Sequence, residues 1–135
     1  MNNKPRVLIV EDDLAMVSLL TSMLEEEGFD TKDAIGEKAL KLAEEYQPDV
    51  ILLDIMMPAM DGLEWSNRAK ANPFLRKVPI IALSAANFST LKRTFQNLQA
   101  DSFLSKPFDI DALLNLVYIF SQQAQATRLA ESKAS

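Results

Sequence analysis

The chain contains no cysteine and no histidine. Without cysteine there is no disulfide and no thiolate chemistry, and a reducing compartment is allowed. Without histidine there is no Ser-His triad, no imidazole metal ligand and no imidazole acid–base. No apolar run approaches the roughly 20 residues of a membrane span. The apolar run behind the basic N-terminus stops at Val10, before Glu11-Asp12-Asp13, too short and too soon acidic for a signal peptide. A cytoplasmic protein with no membrane partner is expected. The net charge of −5 weighs against direct nucleic-acid binding. Chemistry must therefore fall to carboxylates, hydroxyls, lysine and backbone. What is present suits one globular domain: 135 residues, 48% of them hydrophobic, with a mean hydropathy of −0.02.

The chain is organised around Val50-Ile51-Leu52-Leu53-Asp54-Ile55-Met56-Met57-Pro58. A continuous apolar run of this kind suits a strand buried on both faces of a parallel sheet. Pro58 cannot continue a central strand and Gly62 relaxes the backbone, so a loop follows. Asp54 is thereby delivered to the end of a buried strand. Arg6 to Val10 reads as a first strand, and Leu14 to about Glu27 as a helix with Met16, Val17, Leu20, Met23 and Leu24 at helical spacing, stopped by Gly28. Phe29 to Ala34 is a weak second strand. Glu37 to about Tyr46 is a helix, Asp49 to Asp54 the third strand, and Leu63 to Ala71 a helix broken by Asn72-Pro73. Val78 to Ser84 is the fourth strand, 89–98 a helix, and Ser102 to Ser105 a short fifth strand. A last helix starts near Ile110 with Asp109 as N-cap.

Five strands alternating with five helices predict an α/β fold: a flavodoxin-like, doubly wound, five-stranded parallel sheet of order 2-1-3-4-5. In that order the topology switches between strands one and three, and ligands bind at the C-terminal edge beside the switch. Glu11-Asp12, Asp54, Ser84 and Lys106 all end strands there. Such a carboxylate cluster is a hard oxygen site suited to Mg²⁺. Clustered carboxylates repel one another, so a divalent cation or the Lys106 ammonium must offset them. The same cations would neutralise the repulsion between an attacking carboxylate and a phosphoryl group, and Ser84 could donate to a phosphoryl oxygen. The product would be an aspartyl phosphate.

Four motifs carry a resemblance. Val10-Glu11-Asp12-Asp13, Leu53-Asp54-Ile55-Met56-Met57-Pro58 with Met60-Asp61-Gly62, Ala82-Leu83-Ser84-Ala85 and Phe103-Leu104-Ser105-Lys106-Pro107-Phe108 resemble bacterial response-regulator receiver domains. The resemblance spans about Lys4 to Phe120, so residues 1–120 are expected to form the receiver and 121–135 to extend the last helix. It implies a switch in a two-component phosphorelay, not a conventional enzyme. Asp54 would accept a phosphoryl group from a sensor histidine kinase or a histidine phosphotransfer protein. Asp12, Asp54 and the Met56 carbonyl would hold Mg²⁺, with Glu11 acting mainly through water. Lys106 would pair with the phosphoryl group, Ser84 would move toward it, and Phe103 would change rotamer. Lys106-Pro107 would be cis. Ser84 stands where threonine is usual, Phe103 lacks a tyrosine hydroxyl, and Gln99 replaces a glycine. Non-ionic Met56 and Ala86 beside the phosphoryl group imply slow dephosphorylation.

Each residue also has a plain structural reading: Asp54 as a turn residue, Glu11-Asp12-Asp13 as favourable charge at a helix start, Lys106 as a solvated lysine. Three further functions compete. A haloacid-dehalogenase-type phosphohydrolase needs an acid two positions after the nucleophile, where Met56 stands. A flavin carrier needs a hydroxyl- and glycine-rich phosphate loop where Glu11-Asp12-Asp13 would repel phosphate. A phosphorylation-independent interaction module of receiver fold has no need of the complete acidic set. In the last helix, Ile110, Leu113, Leu114 and Val117 can cover the sheet. Leu116, Tyr118 and Ile119 are left over, a surface for an effector or a self-dimer formed with the 89–98 helix and the fifth strand. The length leaves no room for an output domain, so a stand-alone or isolated receiver is expected.

Overall fold

The computed structural model describes residues 4–55, 61–84 and 99–134. The strands are β1 (Arg6–Val10), β2 (Asp30–Ala34), β3 (Val50–Asp54), β4 (Ile80–Ser84) and β5 (Ser102–Ser105). They form a parallel sheet of order β2-β1-β3-β4-β5, the predicted doubly wound order. The helices among the described residues are α1 (Leu14–Glu26), α2 (Gly36–Tyr46), α3 (Gly62–Ala71) and α4 (Ile110–Ala134). Four helices are thus seen where five were expected. The expected helix over 89–98 lies outside the described residues, as do Met56, Ala86 and the Pro58 turn.

The two-residue repeat of the strands sorts the core into two layers. Val7 and Ile9 of β1, with Val50 and Leu52 of β3, face Val17, Leu20 and Leu24 of α1 and Leu113 and Val117 of α4. Leu8, Val10, Ile51 and Leu53 face Ala39, Leu40 and Ala43 of α2 and Trp65 and Ala69 of α3. Because both layers are apolar, the central strands read as unbroken hydrophobic runs. Each fully buried aliphatic side chain contributes about 1.5–3 kcal/mol relative to exposure. The buried Trp65 indole donates to the Gly36 carbonyl at 3.2 Å, tying α3 to the start of α2.

Caps set the helix boundaries. Asp13 accepts from the Ala15 and Met16 amides and starts α1 as soon as β1 ends. Asp61 accepts from the Glu64 amide at 2.8 Å and starts α3. Gly28, at φ 91°, closes α1, its amide donating to the Glu25 carbonyl. Asp109 accepts from the Asp111 amide at 2.9 Å, in keeping with the cap expected at the last helix. That helix is continuous to Ala134. Its inward face differs from expectation. Ile110 is 42% exposed, whereas Leu116 and Phe120 pack partly against the α1 layer. Ile110 is the first residue of the helix and is not part of the packed layer.

Candidate functional site

β1 and β3 are adjacent, with Val10 opposite Leu53, so the residues that follow them meet at the C-terminal edge. Within β3, Val50, Leu52 and Asp54 alternate to the α1 side of the sheet. Glu11, Asp12 and Asp54 each offer a carboxylate oxygen within 4.8 Å of the others. Glu11 is 3% exposed and Asp54 6%, while Asp12 is exposed. Lys106 follows β5 and reaches back across the edge. Its ammonium is 2.7 Å from Glu11 and 3.7 Å from Asp54. The Lys106–Pro107 peptide is cis. The Lys106 amide donates to the Ser84 carbonyl at 2.6 Å, so the backbone around the lysine is fastened to the end of β4. Ser84 is fully buried there. Phe103 is half-buried, packed against Ile55 and Ala82 one layer behind.

The sequence-derived set therefore converges on one edge: Glu11, Asp12, Asp54, Ser84 and Lys106, with Phe103 behind. Met56, expected to lend its carbonyl, lies outside the described residues. Two features were not foreseen. Lys106 lies closer to Glu11 than to Asp54. Spacing could not rank these partners, because both carboxylates end neighbouring strands. The second is Gly62, whose amide donates to the Ile55 carbonyl at 2.9 Å. A Cβ added at Gly62 would lie 2.6 Å from the Ile55 Cα. The glycine thus lets the start of α3 close onto the residue after Asp54. Its signal was the Asp61-Gly62 pair, read as a loop and as part of the family motif but not as a close approach.

Burial first, and then the Asp54 carboxylate beside it, push the Glu11 carboxyl up to about 7, against the pull of Lys106. The cluster holds three carboxylates against the single Lys106 ammonium among the described residues. A compact set of hard oxygen donors with surplus negative charge fits a divalent cation such as Mg²⁺. Chemically, the edge offers a nearly buried carboxylate, a neighbouring cation, a strand-end hydroxyl and an oxygen-lined cation site.

A family model described as the response regulator receiver domain matches residues 7–118. The chain is 36% identical over 111 residues to the DNA-binding dual master transcriptional regulator RpaA of Synechocystis, covering 82% of this chain and 46% of that one. It is 31% identical over 112 residues to the polar-differentiation response regulator DivK of Brucella ovis, covering 82% of this chain and 91% of DivK. The chain spans about half the length of several relatives it matches. Among solved structures it is similar to the receiver domain of the sensor histidine kinase PA1611 of Pseudomonas aeruginosa. That match has a TM-score of 0.77 at 25% identity and covers 89% of this chain and 99% of that one. The Pseudomonas domain is described with a magnesium ion coordinated in its active-site cleft. The sheet order, the converging strand ends and the family match over 7–118 together establish that this chain belongs to the response regulator receiver domain family.

Proposed function

We propose that the chain is a phosphorylation-dependent signalling switch of a two-component phosphorelay, with Asp54 as the phosphoacceptor. The observation that carries this reading is a nearly buried strand-end carboxylate held within 3.7 Å of the Lys106 ammonium and beside Glu11 and Asp12. An Asp54 oxygen attacks the phosphorus of a phosphohistidine on a sensor kinase or phosphotransfer protein. A P–O bond forms, the P–N bond breaks, and the imidazole leaves with a proton. Lys106 screens the approach of two anions and then pairs with the transferred group. Asp12 and Asp54 would hold Mg²⁺ directly and Glu11 mainly through water, with the Met56 carbonyl completing the protein's share. Bound there, Mg²⁺ supplies charge neutralisation at the phosphoryl oxygens. Ser84, at the end of the adjacent strand, would donate to a phosphoryl oxygen, and Phe103, packed on Ile55 and Ala82, would act as the switch residue.

The output is differential partner binding by two conformations. Its surface would comprise the 89–98 segment, β5 and α4, and its partner an effector protein or a second copy. No helix among the described residues is long and apolar enough to cross a membrane, which suits a cytoplasmic phosphodonor.

The test is intact mass after incubation with acetyl phosphate or phosphoramidate. One added phosphoryl group is expected in the wild type, absent from Asp54→Ala and absent without Mg²⁺. The adduct should persist for minutes rather than seconds, given Met56 and Ala86. No adduct with the fold intact would replace this reading by a phosphorylation-independent interaction module.

A further inference from the structure

A second concave site lies at the other end of the strands. It opens ahead of β3 and β4, on the N-terminal side of the sheet, roughly 16 Å from Asp54 at 3.3 Å per strand residue. It is a groove of about 550 Å³, within the range of pockets that take small molecules. One wall belongs to the part of α4 beyond residue 118, where the family match ends: Phe120, Ala124, Thr127 and Glu131. The floor is Pro48, Val78 and Pro79, and the opposite rim is the turn carrying Phe74 and Arg76. The groove is therefore a feature of this chain's extended helix and not of the phosphotransfer edge.

The charges lining it are nearly all engaged. Glu131 pairs with Lys77 at 3.0 Å. Asp101 takes Lys70 at 3.2 Å and the Ile80 amide at 2.8 Å. Asp49 accepts the Arg6 amide at 2.8 Å. Arg76 has no carboxylate partner among the described residues. Two residues before it, the Phe74 ring is 72% exposed at the same rim. The rim thus presents a guanidinium without a counter-ion and a ring without cover, above an apolar floor. A guanidinium binds a carboxylate or sulfonate through parallel hydrogen bonds, and an exposed ring stacks on a flat apolar body. A cationic ligand would instead have to share a carboxylate already held by Lys77, Lys70 or the Arg6 amide.

We propose that this groove is a small-molecule site for a flat aromatic carboxylate or sulfonate, its ring between Phe74 and the α4 wall and its anion on Arg76. Such a ligand would bridge the α3–β4 turn to the extended half of α4.

The test is an amide NMR titration of the full chain with 2-naphthoate and, separately, with neutral 2-naphthamide. Naphthoate should give saturable shifts centred on Phe74, Val78, Ala124 and Thr127, with naphthamide binding at least tenfold more weakly. Arg76→Gln should bring naphthoate down to the level of naphthamide and leave naphthamide unchanged. Ala124→Trp, which fills the groove, should abolish both. Arg76 is exposed, so Arg76→Gln decides the matter even if Ala124→Trp does not fold. The absence of saturable shifts at millimolar naphthoate would overturn the proposal, as would shifts centred elsewhere or equal binding of the two probes. A concentration-dependent dimer that occupies this groove and excludes naphthoate would also overturn it.

Discussion

Glu11 connects the site to solution pH through a single proton. Its carboxyl titrates at about 7 in the folded chain, against an ordinary value of 4.5. Between those values the folded state holds a proton that the unfolded state has released. The contribution of this group to stability is therefore complete below pH 4.5 and is lost as the pH rises through about 7. In metal-free protein the urea midpoint should fall over that window, and Glu11→Gln should remove this part of the slope. An unchanged slope in Glu11→Gln would show that the native carboxyl does not hold its proton. Residue types and strand ends made Glu11, Asp12, Asp54, Ser84 and Lys106 legible in the sequence, because Glu11, Asp54 and Ser84 close apolar runs, Asp12 follows Glu11, and Lys106 follows the short Ser102–Ser105 strand. The preference of Lys106 for Glu11 over Asp54 was not legible, since it depends on side-chain reach across β3.

At the scale of elements, the contact of Gly62 with Ile55 is where local geometry bears on the site. Gly62 closes onto Ile55, the residue after Asp54, with no room for a Cβ. Gly62→Ala should cost about 1–3 kcal/mol, the usual range for overpacking, and, with Asp54 as the proposed phosphoacceptor, should also slow phosphoryl transfer by shifting the backbone next to it. Gly28 is the control. A Cβ there meets nothing within 4 Å, and the penalty comes only from its φ of 91°. Gly28→Ala should cost roughly 1–2 kcal/mol and leave the rate of phosphorylation unchanged. Chemical denaturation and the initial rate of mass gain, measured on both variants, check the pair. Equal rates in both would detach Gly62 from the site. The elements themselves were mostly readable, as β1, β3 and β4 are apolar runs and α1 and α3 start at aspartate caps, whereas β2 carries Asp-Thr-Lys-Asp-Ala and α2 starts at Ile35 without a side-chain cap. α4 was read less well. Its first turn carries Ile110 outward, and its inward stripe shifts to Leu113, Val117 and Phe120. A nearly all-apolar helix has no polar face to fix its rotation, so packing decides it.

For the molecule as a whole, the acidic edge is a local concentration of the chain's net charge of −5. A divalent cation that binds only the folded state relieves that repulsion and stabilises the fold by mass action, by about 2.7 kcal/mol at a hundred times its dissociation constant. Mg²⁺ should therefore raise the thermal midpoint of the wild type, and more at pH 8 than at pH 6, because Glu11 must release its proton first. Asp54→Ala should lose most of the increase. A midpoint indifferent to Mg²⁺ at both pH values would remove Mg²⁺ from the site.

The sequence by itself determined the layer architecture, the sheet order and the strand ends whose polar residues meet at one edge. The physical reason is that doubly buried strands must be apolar throughout, so the first charged residue after each run marks the sheet edge. Only the tertiary structure decided which groups pair across that edge, how Gly62 closes onto Ile55, and how the extended α4 frames a second concavity with the turn at Phe74 and Arg76. These depend on distances between segments far apart in the chain, which no local pattern of residues encodes.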